Sequence, residues 1–486
     1  MRIDELIPTD ELCGPISDID ISTVSANHRI CEEGCLLFLL RSVRFDTRAL
    51  IPDFLAAEPS AIVCECPDDF PDTDIPIIGV HNARRAYAYA CFNIAALGHS
   101  HMKFIGITGT NGKTTTATMI SRILTRAGRI CGFIGTGKIE INGQRITPDT
   151  YSMTTPDPDV LYPALRRMDD AGCDTVIMEV SSHALTLSKL DPIVFDIGIF
   201  TGLSHEHLDF HGSMDNYLSA KEKLIKTAKE VIINFDDPKG KLLYEKYEHK
   251  ATGIGVVFRS DRNAVEIQSA GLGGIGYVYR GKSFLTRIKL PLPGIWNIYN
   301  SMLAFECAYK LNVPPLIIRQ ALSELAPIEG RCECIRDSIT VIIDYAHTPH
   351  ALENLLRAAA EERIGNRKMH TVFGCGGERD KEKRPIMAAI AERYSDTVTV
   401  TSDNPRGEDP DEIIRDTVSG FKGNGYTVIP DRSEAIRHAI LAARDGDIIV
   451  VAGKGHEKYV CDKEGYHHFD EKEIIFTALK QRRDRG

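Results

Sequence analysis

The stretch Thr108-Gly109-Thr110-Asn111-Gly112-Lys113-Thr114 limits what this chain can fold into more than any other. Before it, Phe104-Ile105-Gly106-Ile107 reads as a short buried strand. After it, Ile120, Ile123, Leu124 and Ala127 recur at i, i+3, i+4 and i+7, one face of a helix that Gly128 is placed to stop. A strand, a glycine-containing turn and a helix N-terminus make a phosphate site. Small residues let the backbone curl, successive N–H groups point inward, and the helix dipole favours negative charge. Lys113 can reach terminal phosphates and the Thr114 hydroxyl can hold Mg²⁺. The general spacing of such loops puts a glycine at 107, where this chain has Ile107, and leaves open the slot that Asn111 fills. The stretch therefore reads as an ATP site on a variant loop.

A chain of 486 residues has room for three domains of roughly 150 residues each. Residues 1–98 are weakly patterned, with short strands in the alternating run Cys35 to Leu40 and at Ala61 to Cys64, and a helix at about 83–96. His99-Ser100-His101 is a polar linker. Over 99–328 strands and helices alternate as in a mainly parallel α/β sheet, and over 329–486 the pattern restarts. In both segments apolar strands run into polar clusters, such as Val176-Ile177-Met178 before Glu179-Val180-Ser181-Ser182-His183 and Val341-Ile342-Ile343 before Asp344-Tyr345-Ala346-His347. Open α/β sheets bind ligands at such carboxyl edges.

The formal net charge of −10, with no basic stretch to offset it, argues against nucleic acid. No apolar run approaches the roughly 20 residues of a membrane span, and the start lacks a signal-peptide pattern, so a cytoplasmic location is expected. Thirteen cysteines occur, many in apolar runs, and the pairs Cys31/Cys35, Cys64/Cys66 and Cys332/Cys334 lack the two matched halves of a zinc site. Reduced thiols acting as small hydrophobes are expected. Beside the phosphate loop, Glu179, His205, Glu206, His207 and Asp209 are candidates to hold Mg²⁺, which needs few protein ligands. His205-Glu206-His207 lacks the helical spacing of a zinc-protease motif.

The loop TGTNGKT at 108–114 is typical of Mur ligases and the related folylpolyglutamate synthases. Further motifs follow in order: Thr154-Thr155-Pro156, Glu179-Val180-Ser181-Ser182-His183, His207-Leu208-Asp209-Phe210-His211-Gly212 and Ser219-Ala220-Lys221. Then come Asn297 with Asn300, Gly330-Arg331 and Asp344-Tyr345-Ala346-His347-Thr348-Pro349. Along nearly its whole length the chain resembles a Mur ligase, in the branch that adds the third residue of the peptidoglycan stem peptide. The resemblance implies a three-domain α/β fold: a UDP-sugar-binding-like domain (1–98), a central P-loop ATPase domain (99–328) and a C-terminal Rossmann-like domain (329–486). It implies ATP phosphates on Gly109, Thr110, Asn111, Gly112, Lys113, Thr114 and Thr115. Thr114 and Glu179 would hold one Mg²⁺, His207 would help hold a second, and Lys221, carbamylated, would be a further Mg²⁺ ligand. Asn297 and Asn300 would meet the adenine side, Arg331 the phosphates, and Asp344 and His347 the ribose region. Thr154, Thr155, Ser181 and Lys189 would meet the UDP-N-acetylmuramoyl dipeptide.

Asp403-Asn404-Pro405-Arg406 resembles the branch that uses meso-2,6-diaminopimelate, and Arg379, Gly453 and Glu457 match its other contacts. That amino acid has two zwitterionic ends, so its remote end needs a cation and an anion. Arg406 can pair with the distal carboxylate and Glu457 can accept from the distal ammonium. The implied activity is an ATP-dependent amide ligase acting through an acyl-phosphate, and a monomer is expected. A ligase using L-lysine, one using a different carboxylate acceptor, and a non-catalytic ligand-sensing homologue are the alternatives. The first domain departs from the family pattern: where it meets uridine, this chain reads Ala26-Asn27-His28-Arg29 and Arg41-Ser42-Val43-Arg44-Phe45-Asp46-Thr47-Arg48.

Overall fold

The computed structural model describes residues 1–14, 18–42, 45–148, 153–363 and 365–485. Three main sheets follow one another along the chain. The first has four parallel strands, Thr23–Ser25, Cys35–Phe38, Ala61–Cys64 and Ile77–Gly79. The run Cys35 to Leu40 does not separate an apolar face from a polar one. Leu36 and Phe38 enter one core, while Cys35, Leu37 and Leu39 enter another, because this sheet is covered on both sides. The helix Ala83–Ile94 joins its core to the central domain, where Phe92 meets Tyr162 edge-on at 5.8 Å.

The central sheet has eleven strands. Its middle seven are parallel, in the order Arg262–Ser269, Ala251–Gly255, Glu230–Asn234, Ile197–Phe200, Lys103–Thr108, Thr175–Glu179 and Cys131–Gly135. Antiparallel strands extend it at both ends. Register decides what the site contains. Thr108 lies opposite Phe200, and Ile107 opposite Glu179, so the phosphate loop, Glu179 and the segment after Phe200 leave one edge together. The helix Lys113–Arg126 buries Ile120, Ile123 and Leu124, and Gly128 follows it at φ +81°, a left-handed position that glycine adopts freely.

The third sheet runs Glu333–Arg336, Thr340–Asp344, Ile448–Ala452, Met369–Phe373, Thr397–Val400 and Tyr426–Val428, parallel except for its first strand. Ala452 stands opposite both Asp344 and Phe373, so the loops after those strands open at one edge. Apolar cores cover both faces. Among the described residues no helix is long and apolar enough to cross a membrane.

Candidate active site

The two site edges face each other. Gly112 caps the helix Lys113–Arg126 at φ +85°. Gly109 has φ +144°, and a Cβ there would collide with the Thr201 hydroxyl. Lys113 Nζ folds back onto the carbonyls of Gly109 (3.0 Å) and Thr110 (2.8 Å). Thr114 Oγ1 donates to Glu179 Oε2 at 2.9 Å and accepts from Arg331 Nη2, of the C-terminal domain, at 3.0 Å. Glu179 is fully buried and also accepts from the Thr136 amide (3.1 Å) and hydroxyl (3.2 Å). Thr136 carries no motif of its own and is legible only in three dimensions.

Lys221, buried on the helix Met214–Thr227, donates to Gly109 O at 2.9 Å, the same carbonyl that Lys113 uses. Burial, then the neighbouring Lys113 charge, hold the Lys221 ammonium well below its ordinary pKa. Such an amine is available unprotonated. His207 adopts the left-handed φ of +57°, unusual for a side-chain-bearing residue, and its Nδ1 is buried without a partner. Burial outweighs the attraction of Glu206 and pushes the imidazole pKa down to about 3. A neutral imidazole with an unpartnered nitrogen, lining one cavity with Glu179 and Thr114, fits a divalent cation. Among the described residues no three His, Cys, Asp or Glu side chains converge as a cage, so phosphate oxygens would complete the coordination.

The other acidic and histidine candidates are used differently. His205 pairs with Asp380 Oδ2 at 3.0 Å, Asp209 is exposed, and Glu206 bonds His347 Nε2 at 2.9 Å.

Two cavities share the phosphate loop. One, of about 520 Å³, is lined by Asn111, Gly112 and Thr115, by Trp296, Asn297 and Asn300, and by Asp344 and Ala346 across from them. The amides of Asn297 and Asn300 are largely committed: Asn297 Nδ2 donates to Pro293 O (2.7 Å) and Asn300 Nδ2 to Asn297 Oδ1 (3.1 Å). Asp344 accepts from the amides of Cys332 (2.6 Å) and Ala346 (2.7 Å), which braces the chain where it enters the C-terminal domain. His347, expected beside Asp344, lines the other cavity instead, because its ring is drawn to Glu206.

That second cavity, of about 300 Å³, runs from Lys113, Thr114, Thr154, Glu179 and His207 past Arg331 to Arg379, Asp403, Asn404, Arg406, Gly453 and Glu457. Arg406 has φ +52° and donates from Nη1 to Gly377 O at 2.8 Å. Pro405 precedes it, buried behind the wall. Gly453 has φ +123°, and a Cβ there would press on Asp403 Oδ2 at 2.9 Å. Glu457 accepts from the Tyr345 hydroxyl (3.2 Å) and from Asn404 Nδ2 (2.8 Å). The Arg331 guanidinium lies over the Tyr345 ring, 4.6 Å from its centre, so Tyr345 links the phosphate end to the far end. Lys383 and Tyr345 also line this cavity and belong to no expected contact.

Of the residues expected to meet a nucleotide-sugar peptide, Thr154 lines this cavity, with its hydroxyl 3.0 Å from that of Thr136. Thr155 does not reach it: its buried hydroxyl donates to Glu179 O (2.8 Å) and accepts from Ser181 N (3.0 Å). Ser181 caps a short helix by accepting from Ala184 N (3.2 Å), and Lys189 is held by Asp157 Oδ1 at 2.6 Å. None of these three stands on the walls of either cavity. In the first domain, Asn27 caps a turn by accepting from Arg29 N, and Arg48 pairs with Asp46. Positions 43 and 44 lie outside the described residues.

Known proteins resemble this chain both in sequence and in fold. Residues 107–308 match the Mur ligase middle domain, and residues 330–455 match the Mur ligase glutamate ligase domain. A UDP-N-acetylmuramoyl-L-alanyl-D-glutamate–2,6-diaminopimelate ligase of Clostridium perfringens (strain 13 / Type A) is 38% identical over 95% of both chains. The ligase of the same name from Geobacillus kaustophilus (strain HTA426) is 35% identical, over 95% of this chain and 96% of its own. A solved structure of a ligase so named superposes with a TM-score of 0.69 at 28% identity, over 99% of each chain. With two family models that together match most of its length and relatives 35% and 38% identical over nearly all of it, the chain belongs to the Mur ligase family.

Proposed function

We propose that this protein joins the amine of meso-2,6-diaminopimelate to the D-glutamyl side-chain carboxylate of UDP-N-acetylmuramoyl-L-alanyl-D-glutamate, driven by ATP, in peptidoglycan precursor synthesis. The observation that carries this reading is a single cavity with the phosphate loop at one end and Arg406, Asn404 and Glu457 at the other. The names of relatives 35% and 38% identical over nearly the whole chain support it.

The nucleoside belongs in the larger cavity, with its phosphates on residues 109–115. A carboxylate oxygen of the acceptor attacks the γ-phosphorus, ADP leaves, and an acyl-phosphate forms. Lys113 and Arg331 stabilise the charge on the transferring phosphoryl group. Mg²⁺, held by Thr114, Glu179 and His207, and by Lys221 once carbamylated, would neutralise phosphate charge and fix the in-line geometry. The incoming amine then attacks the acyl carbon, loses a proton, and phosphate departs. Arg406 takes the distal carboxylate of the amino acid and Glu457 its distal ammonium.

The test is ADP release with the uridine-linked dipeptide and a panel of amines. L-lysine lacks the distal carboxylate and would leave Arg406 unpaired. A desolvated charge without its partner costs about 2–5 kcal/mol, so lysine should be used roughly 30-fold to several thousand-fold less efficiently. Arg406→Ala should lose diaminopimelate far more than lysine. Comparable kcat/KM for the two amines in the unmutated enzyme would refute this assignment of the pocket.

A further inference from the structure

Behind the amine end of the cavity lies a buried ammonium, Lys454, to which the proposed reaction gives no role. Lys454 is fully buried, and its Nζ donates to Asn404 Oδ1 (2.8 Å) and to the Tyr459 carbonyl (2.7 Å). The same ammonium lies 3.3 Å from Asp403 Oδ1 and 3.8 Å from Glu457 Oε2. Deeper still, Arg432 bonds Glu471 Oε1 at 2.7 Å, a pair with no net formal charge whose guanidinium is also felt by Asp403 and Glu457. Two carboxylates, Asp403 and Glu457, then face one ammonium, which leaves a single negative charge. Both carboxylates reach the cavity wall, and Lys454 does not.

Other walls of the cavity are positive. Arg379, Lys383 and Arg406 line it, and among the described residues Arg406 Nη1 donates to the carbonyls of Gly377 and Asn404. One net negative charge on one side and a guanidinium bonded to carbonyls on another complement a group that carries both an ammonium and a carboxylate.

Lys454 also sets geometry. Asn404 Oδ1 accepts from Lys454 and from the Cys461 amide (2.9 Å), which leaves its Nδ2 to hold Glu457 Oε2. The ammonium therefore orients the amide, and the amide orients the carboxylate.

We propose that Lys454 is the positioning residue that sets amine specificity: by cancelling one of two wall carboxylates and turning Asn404 toward Glu457, it fits the pocket to a zwitterionic group instead of a bare ammonium. This rests on the reading that Arg406 and Glu457 receive the distal end of diaminopimelate. Removing Lys454 leaves two uncompensated carboxylates, which favours the lone distal ammonium of L-lysine. Removing the Asp403 charge does the reverse.

The experiment compares kcat/KM for meso-diaminopimelate and L-lysine in the full chain, with thermal melting and the KM for ATP as checks on folding. Lys454→Met should lower the diaminopimelate-to-lysine ratio by about tenfold or more, since close charge pairs couple strongly in desolvated sites. The double variant Lys454→Met/Asp403→Asn should bring the ratio back. Asp403→Asn alone should raise it, which tests the idea even where Lys454→Met fails to fold. A folded Lys454→Met that loses both amines equally overturns the proposal, as does Asp403→Asn leaving the ratio unchanged or lowered. A strong diaminopimelate preference in the unmutated enzyme alongside either result would show that the pocket reading stands and the Lys454 role does not. No preference in the unmutated enzyme would overturn both.

Discussion

Two lysines share one carbonyl at the centre of this site, and their roles differ. Lys113 Nζ and Lys221 Nζ lie 3.0 Å and 2.9 Å from Gly109 O. Lys113 sits at the start of the helix, where the proposed function puts the terminal phosphates, and there its charge would matter most as the phosphoryl group transfers. Lys113→Ala should keep its fold and lose roughly 10²-fold or more in turnover, read as ADP release beside an unchanged melting curve. Near wild-type turnover in that variant would remove the ATP-site assignment. Lys221 is buried and depressed in pKa, the state in which an amine adds CO₂ to give a carbamate and a proton. We expect a carbamate there, visible by ¹³C NMR after exchange with labelled bicarbonate. Lys221→Ala should lose both that signal and Mg²⁺-dependent turnover, and a bare ammonium in a fully active enzyme would refute the idea. Intact mass is a poor probe, because carbamates are labile.

Elements bring these side chains together through register. Thr108, Glu179 and Phe200 end neighbouring parallel strands, and the residues that follow them form one half of the site. At the opposite end of the C-terminal sheet, Asp447 precedes the strand Ile448–Ala452 and accepts from the amides of Lys368 (2.9 Å) and Arg444 (2.8 Å). Burial alone would raise its pKa, but those amides and His370 Nε2, 3.2 Å away, hold it below the ordinary value. A carboxylate depressed on folding stabilises the protein above its unfolded pKa of about 3.9, and loses that contribution as pH falls through the folded value. Asp447→Asn should cost about 1–3 kcal/mol at neutral pH. Its urea midpoint should depend less steeply on pH between about 5 and 2 than that of the parent, and an identical acid dependence would contradict this role.

Across the whole molecule, the contacts that join the central and C-terminal domains include Thr114 with Arg331 (3.0 Å) and Glu206 with His347 (2.9 Å) at the cavity, and also His205 with Asp380 (3.0 Å). On the proposed mechanism the two chemical steps draw on groups from both domains, so these contacts are expected to persist in the reactive arrangement. His347→Ala removes the Glu206 contact without touching the phosphate loop. It should lower kcat roughly tenfold or more by loosening the alignment of the two halves, with a smaller change in the KM for ATP. Small-angle scattering with nucleotide bound should then show a larger radius of gyration than the parent. Unchanged kcat and unchanged scattering would remove this contact from the closure.

Periodicity and local chemistry were enough to read the phosphate loop, its helix, the parallel α/β class and the clusters at strand ends, because each depends on residues within one or two turns of chain. The resemblance reached further, to Arg331, Arg406 and Glu457, which the structure brings to the walls of one cavity. What the chain order left open depends on distant segments meeting. Thr136 on Glu179, His347 on Glu206, Lys454 under Asp403 and Glu457, and Lys221 on the carbonyl that Lys113 also uses are separated by 43, 141, up to 51 and 112 residues. Thr155, Ser181 and Lys189 carry motif positions, yet their polar groups are spent on neighbouring backbone and Asp157. Whether a polar side chain serves a ligand or the scaffold is settled by which partner stands within about 3 Å of it, and only the packed molecule decides that.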